Sequence, residues 1–433
     1  MELRDPIYGF IEYNDHERSI IDSPVFQRLR HVRQLAMAHY VYPGANHTRF
    51  EHSLGVMHVA DKMGEYLGLG KEARRLVRLA GLLHDIGHGP FGHVSEEVFK
   101  AIGTKQQSDS NIYKFHENLT ARIIKSKNSL ASYLDDDAER IADLIDPMGK
   151  PSIEKEIVSS PYDADKMDYL LRDSYFCGVK YGVFDYDRLI MMLSPFEKKR
   201  VMVKYEGIPC FEQYVVAKYF INTQVYRHKI RLITDAMLKR GILLSIGEND
   251  YLKRLYAYHD SDEYLEEYLK SCDAEVIRLG SIGDSNGAKI FKFIQSRKLF
   301  KRVFQIRANQ IDDKLISTGI MGQIENPDLE KISRVENNVA RLFGVDPDFT
   351  ILNIYRLGFT AGEAAEIGKV FVLIDDIPNL IQDYSTICRD YNQELSSVFI
   401  EIYLPLELET QDREDFCRSK RNEIKSYLNV FAS

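Results

Sequence analysis

The 433-residue sequence carries no excess of positive charge, no closely paired cysteines and no long apolar run. Lysine and arginine number 57 against 65 aspartates and glutamates, a formal net charge of −8. Such a chain is not a polycation built to coat nucleic acid. An anionic ligand must be drawn by a local group of cations rather than by the whole surface. The five cysteines, Cys177, Cys210, Cys272, Cys388 and Cys417, include no CxxC pair. That argues against a disulfide framework or a thiolate zinc site and fits a reducing cytosol. No run approaches the roughly 20 apolar residues of a membrane span. Met1-Glu2-Leu3-Arg4-Asp5 opens without the apolar core of a signal peptide. The expectation is a soluble cytoplasmic protein with no membrane partner. Internal repeats and low-complexity tails are absent as well.

What is present begins with helical periodicity. Hydrophobic residues make up 44% of the chain, enough for a large core, and the length suggests two to three domains. Thr48 and Glu51 have capping-box spacing, with Val56, Val59, Met63 and Leu67 following as an apolar stripe. Leu76, Leu79, Ala80 and Leu83 repeat that period until Gly87, Gly89 and Pro90 end it. Ser160-Pro161 predicts the start of a helix running to about Tyr175, and 211–244 reads as one long helix. Later, 302–307, 350–357, 369–374 and 397–404 are β-branched and aromatic with partial alternation, which predicts strands. The expected fold is mainly α: a helical core over 1–245, a helical connection over 246–300, and a smaller α+β domain over 301–433.

The richest stretch is Leu82-Leu83-His84-Asp85-Ile86-Gly87-His88-Gly89-Pro90-Phe91-Gly92-His93. A carboxylate at the end of an apolar helix costs several kcal/mol if buried alone, so Asp85 needs a cation or a donor network. A divalent metal held by His84 and Asp85 is such a partner. His52 on the capped helix and Asp165 on the Pro161 helix can complete a two-histidine, two-carboxylate set. That set suits a borderline transition metal with water in its open positions. Taken singly, His52 or Asp165 would read as an ordinary hydrogen-bonded residue. The doublet, its glycine-rich exit and its neighbouring histidines favour the metal. Gly87, Gly89 and Gly92 also spell GxGxxG, but a helix precedes them and Pro90 interrupts, so no dinucleotide site is expected.

Five motifs in order carry a family resemblance: Phe26-Gln27-Arg28-Leu29-Arg30, Tyr42-Pro43-Gly44, Arg49-Phe50-Glu51-His52-Ser53-Leu54-Gly55, the 84–93 stretch, and Asp165-Lys166-Met167-Asp168-Tyr169. Over residues 1–245 the chain resembles the HD-domain deoxynucleoside triphosphate triphosphohydrolases. It is similar to the branch of the vertebrate SAM-and-HD-domain dNTPase, with no SAM domain expected. The resemblance implies one divalent metal per chain (Fe, Mn, Zn, Ni, Co or Mg) on His52, His84, Asp85 and Asp165. It implies catalytic roles for His93 and His116, a phosphate contact for His88, and triphosphate binding by Arg49 and Lys166. Gln34, Tyr169, Asp173 and Tyr226 are implied around sugar and base. Lys218 and Arg227 join the substrate set, although they stand where the relative compared has arginine and glutamine. Spacing agrees in part, since Asp165, Tyr169 and Asp173 share one helix face, and Lys218, Asn222 and Tyr226 another. An alternative places a second metal on His88, His93 and His116.

The implied reaction is hydrolysis at the α-phosphorus to deoxynucleoside and inorganic triphosphate, with His93 or His116 as general acid. The competing substrates are a nucleoside monophosphate, a cyclic nucleotide or an alarmone. A different class, a nucleotide- or nucleic-acid-binding regulator with a vestigial site, rests only on Lys198-Lys199-Arg200 and on Lys298, Lys301 and Arg302. The resemblance further implies a homo-oligomer, dimer or tetramer, with a GTP or dGTP effector. Asp22, Gln27 and Arg30 match residues that read guanine, and Arg188, His228 and Lys229 match the neighbouring pocket. Lys204 and Glu206 depart from that pocket, and the competing reading is a surface ion-pair cluster of Asp22, Arg28 and Arg30.

Overall fold

The capping box forms where the sequence places it: the Glu51 carboxylate accepts the Thr48 backbone N–H at 2.9 Å and opens helix α1, Arg49–Tyr66. In this computed structural model, residues 1–106, 115–146, 148–197, 199–358, 366–390, 397–407 and 410–432 are described. Helix α2, Lys71–Leu83, buries Leu76, Leu79, Ala80 and Leu83 and packs along α1. Each of these leucines contributes about 1.5–3 kcal/mol on leaving water. Helices α3 (His93–Gln106) and α4 (Phe115–Lys125) follow the glycine-rich stretch. Helix α5, Ala164–Cys177, starts later than Ser160-Pro161 suggested. Its cap is Asp163, whose carboxylate accepts the Lys166 N–H at 2.8 Å, and Gly178 at φ 69° ends it.

The long helix expected over 211–244 is broken. Helix α6 spans Ile208–Ile221, a π-turn occupies Asn222–Tyr226, and α7 spans Lys229–Ser245. The Thr223 hydroxyl donates to the Tyr219 carbonyl at 3.0 Å, competing with the helical ladder as the turn widens. His228 then adopts extended backbone and caps α7, its Nδ1 accepting the Ile230 N–H at 3.2 Å.

The strands are β1 (Glu2–Asp5), β2 (Gly9–Glu12), β3 (Leu193–Phe196), β4 (Arg200–Lys204), β5 (Lys301–Arg307), β6 (Ile351–Leu357), β7 (Phe371–Ile374), β8 (Ile377–Leu380) and β9 (Ser397–Leu404). Two compact units arise. Unit 1 gathers Met1–Tyr226, Arg254–Val276 and Ala361–Gln393; unit 2 gathers Arg227–Lys253, Ile277–Thr360 and Glu394–Ser433. This division by contact differs from the sequential one at 245 and 300, because the chain leaves unit 1 after Tyr226 and returns to it twice. Unit 1 holds the helices from α1 to α6, the β1–β2 hairpin and a sheet of order β3-β4-β7-β8. The 369–374 segment is therefore a strand, as read, but it pairs with β4 and β8 in unit 1 rather than with β5, β6 or β9.

Unit 2 is built on the antiparallel order β5-β9-β6. Alternate residues Ile400, Ile402 and Leu404 of β9 enter a core with Ile306, Val339 and Leu428. Glu401, between them, is buried against Arg302 at 2.6 Å and accepts the Tyr403 hydroxyl at 2.5 Å. Lys301 and Arg302 are thus strand residues and Lys199 is exposed; Lys198 lies outside the described residues.

Candidate active site

Helices α1, α2 and α5 of unit 1 bring four sequence-predicted residues to one place. Gly55 makes this approach feasible, because a Cβ there would strike the Asp168 and Arg172 side chains of α5. His52 donates from Nδ1 to Asp168 at 2.8 Å, and His84 from Nδ1 to the Gly81 carbonyl at 2.8 Å. Both rings therefore present Nε2 inward, since a hydrogen bond at one nitrogen fixes the ring's orientation and leaves the other free to act as a ligand. Asp165 Oδ1 lies 3.0 Å from His52 Nε2 and 3.6 Å from His84 Nε2. Asp85 Oδ1 lies 3.4 Å from His84 Nε2, and Asp85 Oδ2 lies 3.7 Å from His52 Nε2. Both Nε2 atoms are buried without an aligned hydrogen bond among the described residues. His52, His84 and Asp85 have donor atoms within 4.8 Å of one another, a spacing that fits an ion with bonds of about 2.0–2.2 Å, and Asp165 stands beside that group against both Nε2 atoms.

The electrostatics agree. Burial opposes charge on His52, yet the neighbouring carboxylates of Asp165 and Asp168 raise its pKa to about 10. On His84 burial likewise opposes, and Asp85 with Asp165 carries the value upward. Asp85 is held well below the carboxylate range despite burial, first by Arg49 and then by the histidines. A negative field of this kind stabilises a divalent cation.

Beside this group lies a second cluster with another organising centre. The His88 and His116 rings stack at 4.1 Å. Glu96, on the first turn of α3, places Oε1 2.7 Å from His116 Nδ1 and 3.2 Å from His88 Nδ1, and Oε2 3.1 Å from His93 Nδ1. His88 Nε2 is 3.3 Å from Asp85 Oδ1 and so joins the two clusters. Burial, with Arg49 and His116, lowers His88 to about 3. On His116 burial opposes, but the Glu96 carboxylate 2.7 Å away wins and raises it. Glu96 itself is driven far down against burial, by His93 and then by the His116 bond. A second ion would find His88, Glu96 and His116 within 4.8 Å of one another, rather than the three histidines expected; His93 stands outside that set with its side chain 71% exposed. Glu96 escaped the sequence reading. Its position three residues after His93 is the signal that could have found it.

Arg49 is buried and pairs with Asp85, and Gly92 at φ 52° leaves room for its guanidinium. Lys166 reaches Asp163 at 2.6 Å; against burial, Asp163 and Asp165 hold its pKa above the ordinary value. Asp173 is buried between His47 Nε2, at 2.8 Å, and the Tyr226 hydroxyl. His47, also missed from the sequence, stacks on Phe176 at 4.6 Å. The Tyr169 and Tyr226 rings meet edge to face at 6.2 Å. Gln34 donates its backbone N–H to the His47 carbonyl at 3.1 Å, and its buried Oε1 has no hydrogen-bond partner among the described residues. Lys218 is buried on α6. Arg227 opens unit 2, its guanidinium 5.8 Å over the Tyr355 ring.

The residues matched to an effector fall in both units. Asp22 pairs with Arg18 at 3.2 Å, and Arg30 donates to Gln27 at 2.9 Å while lying 3.5 Å over Phe50. Arg28 is not their partner: it is buried and donates twice to the His88 carbonyl, at 2.9 and 2.6 Å. Arg188 is exposed in unit 1. His228 and Lys229 belong to unit 2, where burial lowers both pKa values, helped at Lys229 by Arg302 and Arg413.

The HD domain pattern matches residues 49–173, and the HD associated region matches 184–387. An uncharacterised protein of Methanocaldococcus jannaschii is 31% identical over 99% of this chain and 84% of its own length. A deoxynucleoside triphosphate triphosphohydrolase SAMHD1 homolog of Dictyostelium discoideum is 26% identical over 96% of this chain and 77% of its own. The crystal structure of a hypothetical protein from Aquifex aeolicus superimposes with a TM-score of 0.71 at 30% identity, covering 99% of both chains.

Proposed function

This chain belongs to the HD-domain family, and on that premise we propose that it hydrolyses deoxynucleoside triphosphates to deoxynucleoside and inorganic triphosphate. The observation that carries the reading is the adjacency of two unlike clusters. A donor group of His52, His84 and Asp85, with Asp165 beside both Nε2 atoms, is bridged by His88 to a histidine pair around Glu96. A divalent ion, which His52, His84, Asp85 and Asp165 would hold, would supply Lewis acidity and a more acidic bound water. Arg49 and Lys166 balance the charge of the triphosphate. His116, whose proton Glu96 stabilises, gives it to the leaving 5′-oxygen as water adds at the α-phosphorus and the P–O5′ bond breaks. The exposed His93 shares Glu96 and is the second candidate for that proton. Tyr169, Tyr226, Asp173 and Gln34 border the sugar and base, where a polar, packed edge discriminates against a 2′-hydroxyl.

The same reading extends to a cytoplasmic homo-oligomer, dimer or tetramer, whose activity on other substrates rises with GTP or dGTP through Asp22, Gln27 and Arg30. A guanine effector acts only by binding the active assembly better than the inactive one. One experiment tests both parts. Purified protein is incubated with each deoxynucleoside triphosphate and several divalent metals, with and without GTP, and the products are resolved chromatographically. Inorganic triphosphate is expected. Turnover confined to nucleoside monophosphates, cyclic nucleotides or alarmones overturns the substrate. Activity and oligomer size indifferent to guanine nucleotides remove the effector.

A further inference from the structure

An unbroken line of buried charge runs from His52 to the first residues of the chain. Asp168 accepts His52 Nδ1–H at 2.8 Å with the same Oδ2 that accepts Arg172 Nε–H at 2.8 Å, and its Oδ1 accepts from Arg172 Nη2 at 3.0 Å. Arg172 turns its third nitrogen, Nη1, to Asp5 Oδ2 at 2.8 Å. The other oxygen of Asp5 accepts the Ile7 and Tyr8 backbone N–H groups, at 2.8 and 3.0 Å, in the turn that pairs β1 with β2. All four side chains are buried, Arg172 and Asp168 completely. Asp5 stands 44 residues before the start of the HD match at residue 49 (49 − 5), so no local motif ties it to the site.

We infer that Asp5 is a positioning residue for the metal, acting through Arg172 and Asp168 on the imidazole of His52; this rests on the metal reading above. A buried guanidinium shared by two carboxylates divides its field between them. With Asp5 neutral, that field falls on Asp168 alone, which becomes a weaker acceptor for the His52 N–H. The imidazole then presents a less electron-rich Nε2. Outer partners of this kind change metal affinity by roughly 10–100-fold when removed, and Asp5 lies one link further out.

Asp5→Asn isolates the link. The amide oxygen still accepts from Ile7 and Tyr8, so the turn persists, while its NH₂ faces Arg172 with no charge to offer. Full-length protein is stripped of metal and titrated with cobalt(II), reading the dissociation constant by chelator competition and the ligand field by visible absorption. Asp5→Asn is expected to bind cobalt about tenfold more weakly, with a shifted spectrum and unchanged far-UV circular dichroism. Asp5→Glu recovers part of the affinity. Phe10→Ala, at an exposed residue of the same hairpin, perturbs the hairpin without touching Arg172 and keeps the wild-type spectrum. Wild-type affinity and spectrum in Asp5→Asn overturn the inference, as does equal weakening in Phe10→Ala. A wild type that binds no cobalt removes the metal reading and the inference together. Failure to form triphosphate from nucleotides touches only the substrate reading, since neither cobalt measurement involves a nucleotide.

Discussion

The two histidine clusters of unit 1 use the same residue types to opposite ends. Around His52 and His84, each imidazole spends one nitrogen on an anchor and turns the other toward Asp85 and Asp165. Around Glu96, three imidazoles turn Nδ1 toward a single carboxylate. The first arrangement gathers donors about a point, which suits a cation. The second splits its stacked pair, lifting His116 while its neighbour His88 is lowered to about 3, whereas His52 and His84 are both raised. Chemistry at a phosphate needs both functions within a few ångströms, and the His88–Asp85 contact supplies that proximity. Composition alone does not distinguish the two, and neither does the anchored nitrogen, which is Nδ1 in both; what differs is that the second set of imidazoles shares a single carboxylate.

Breaking the first cluster gives the largest effect. Asp165→Ala is expected to lose bound metal, measured by elemental analysis, and with it all hydrolysis above background, while helical content is kept. Normal stoichiometry in this variant would transfer the ligand role elsewhere.

Breaking the second cluster separates the two. His116→Ala should keep its metal and lose about 10²–10⁴-fold in turnover. Glu96→Gln sharpens the point. Because Glu96 raises His116, the alkaline limb of the turnover profile lies above the ordinary histidine range in wild type and moves to lower pH in the variant. If metal and activity fall together in His116→Ala, the His88–Glu96–His116 set is holding a second ion.

The smallest effect concerns the loop between the clusters. Asp273 accepts the Phe91 N–H at 2.8 Å and the Arg33 N–H at 3.0 Å, and burial pushes its pKa up to about 6. An unfolded aspartate titrates near about 3.9. The unfolded chain therefore loses this proton first, and the contribution of Asp273 is full below pH ~4 and lost as pH rises through about 6. Urea unfolding across that window should show stability falling with pH in wild type and a flatter profile in Asp273→Asn. An identical slope in the two would assign the dependence to other groups.

Much of the local structure was legible. The capping box set the start of α1, period-3.6 apolar residues set α2, and Asp165, Tyr169 and Asp173 do share α5. The break after Ile221 was not, because Tyr, Val and Ile at helical spacing look alike whether a ladder is α or π. Nor was the partnership of β7 with β4, since strand propensity does not name a neighbour.

The sequence by itself determined the chemistry on offer: imidazoles and carboxylates beside a glycine-rich exit, with few cations to spare. Only the tertiary structure decided who serves whom. His52 finds Asp168 across 116 residues and Arg172 finds Asp5 across 167. A buried charge must be matched by whatever donor or counter-charge the packing of helices brings to it, and that choice is made in space rather than along the chain.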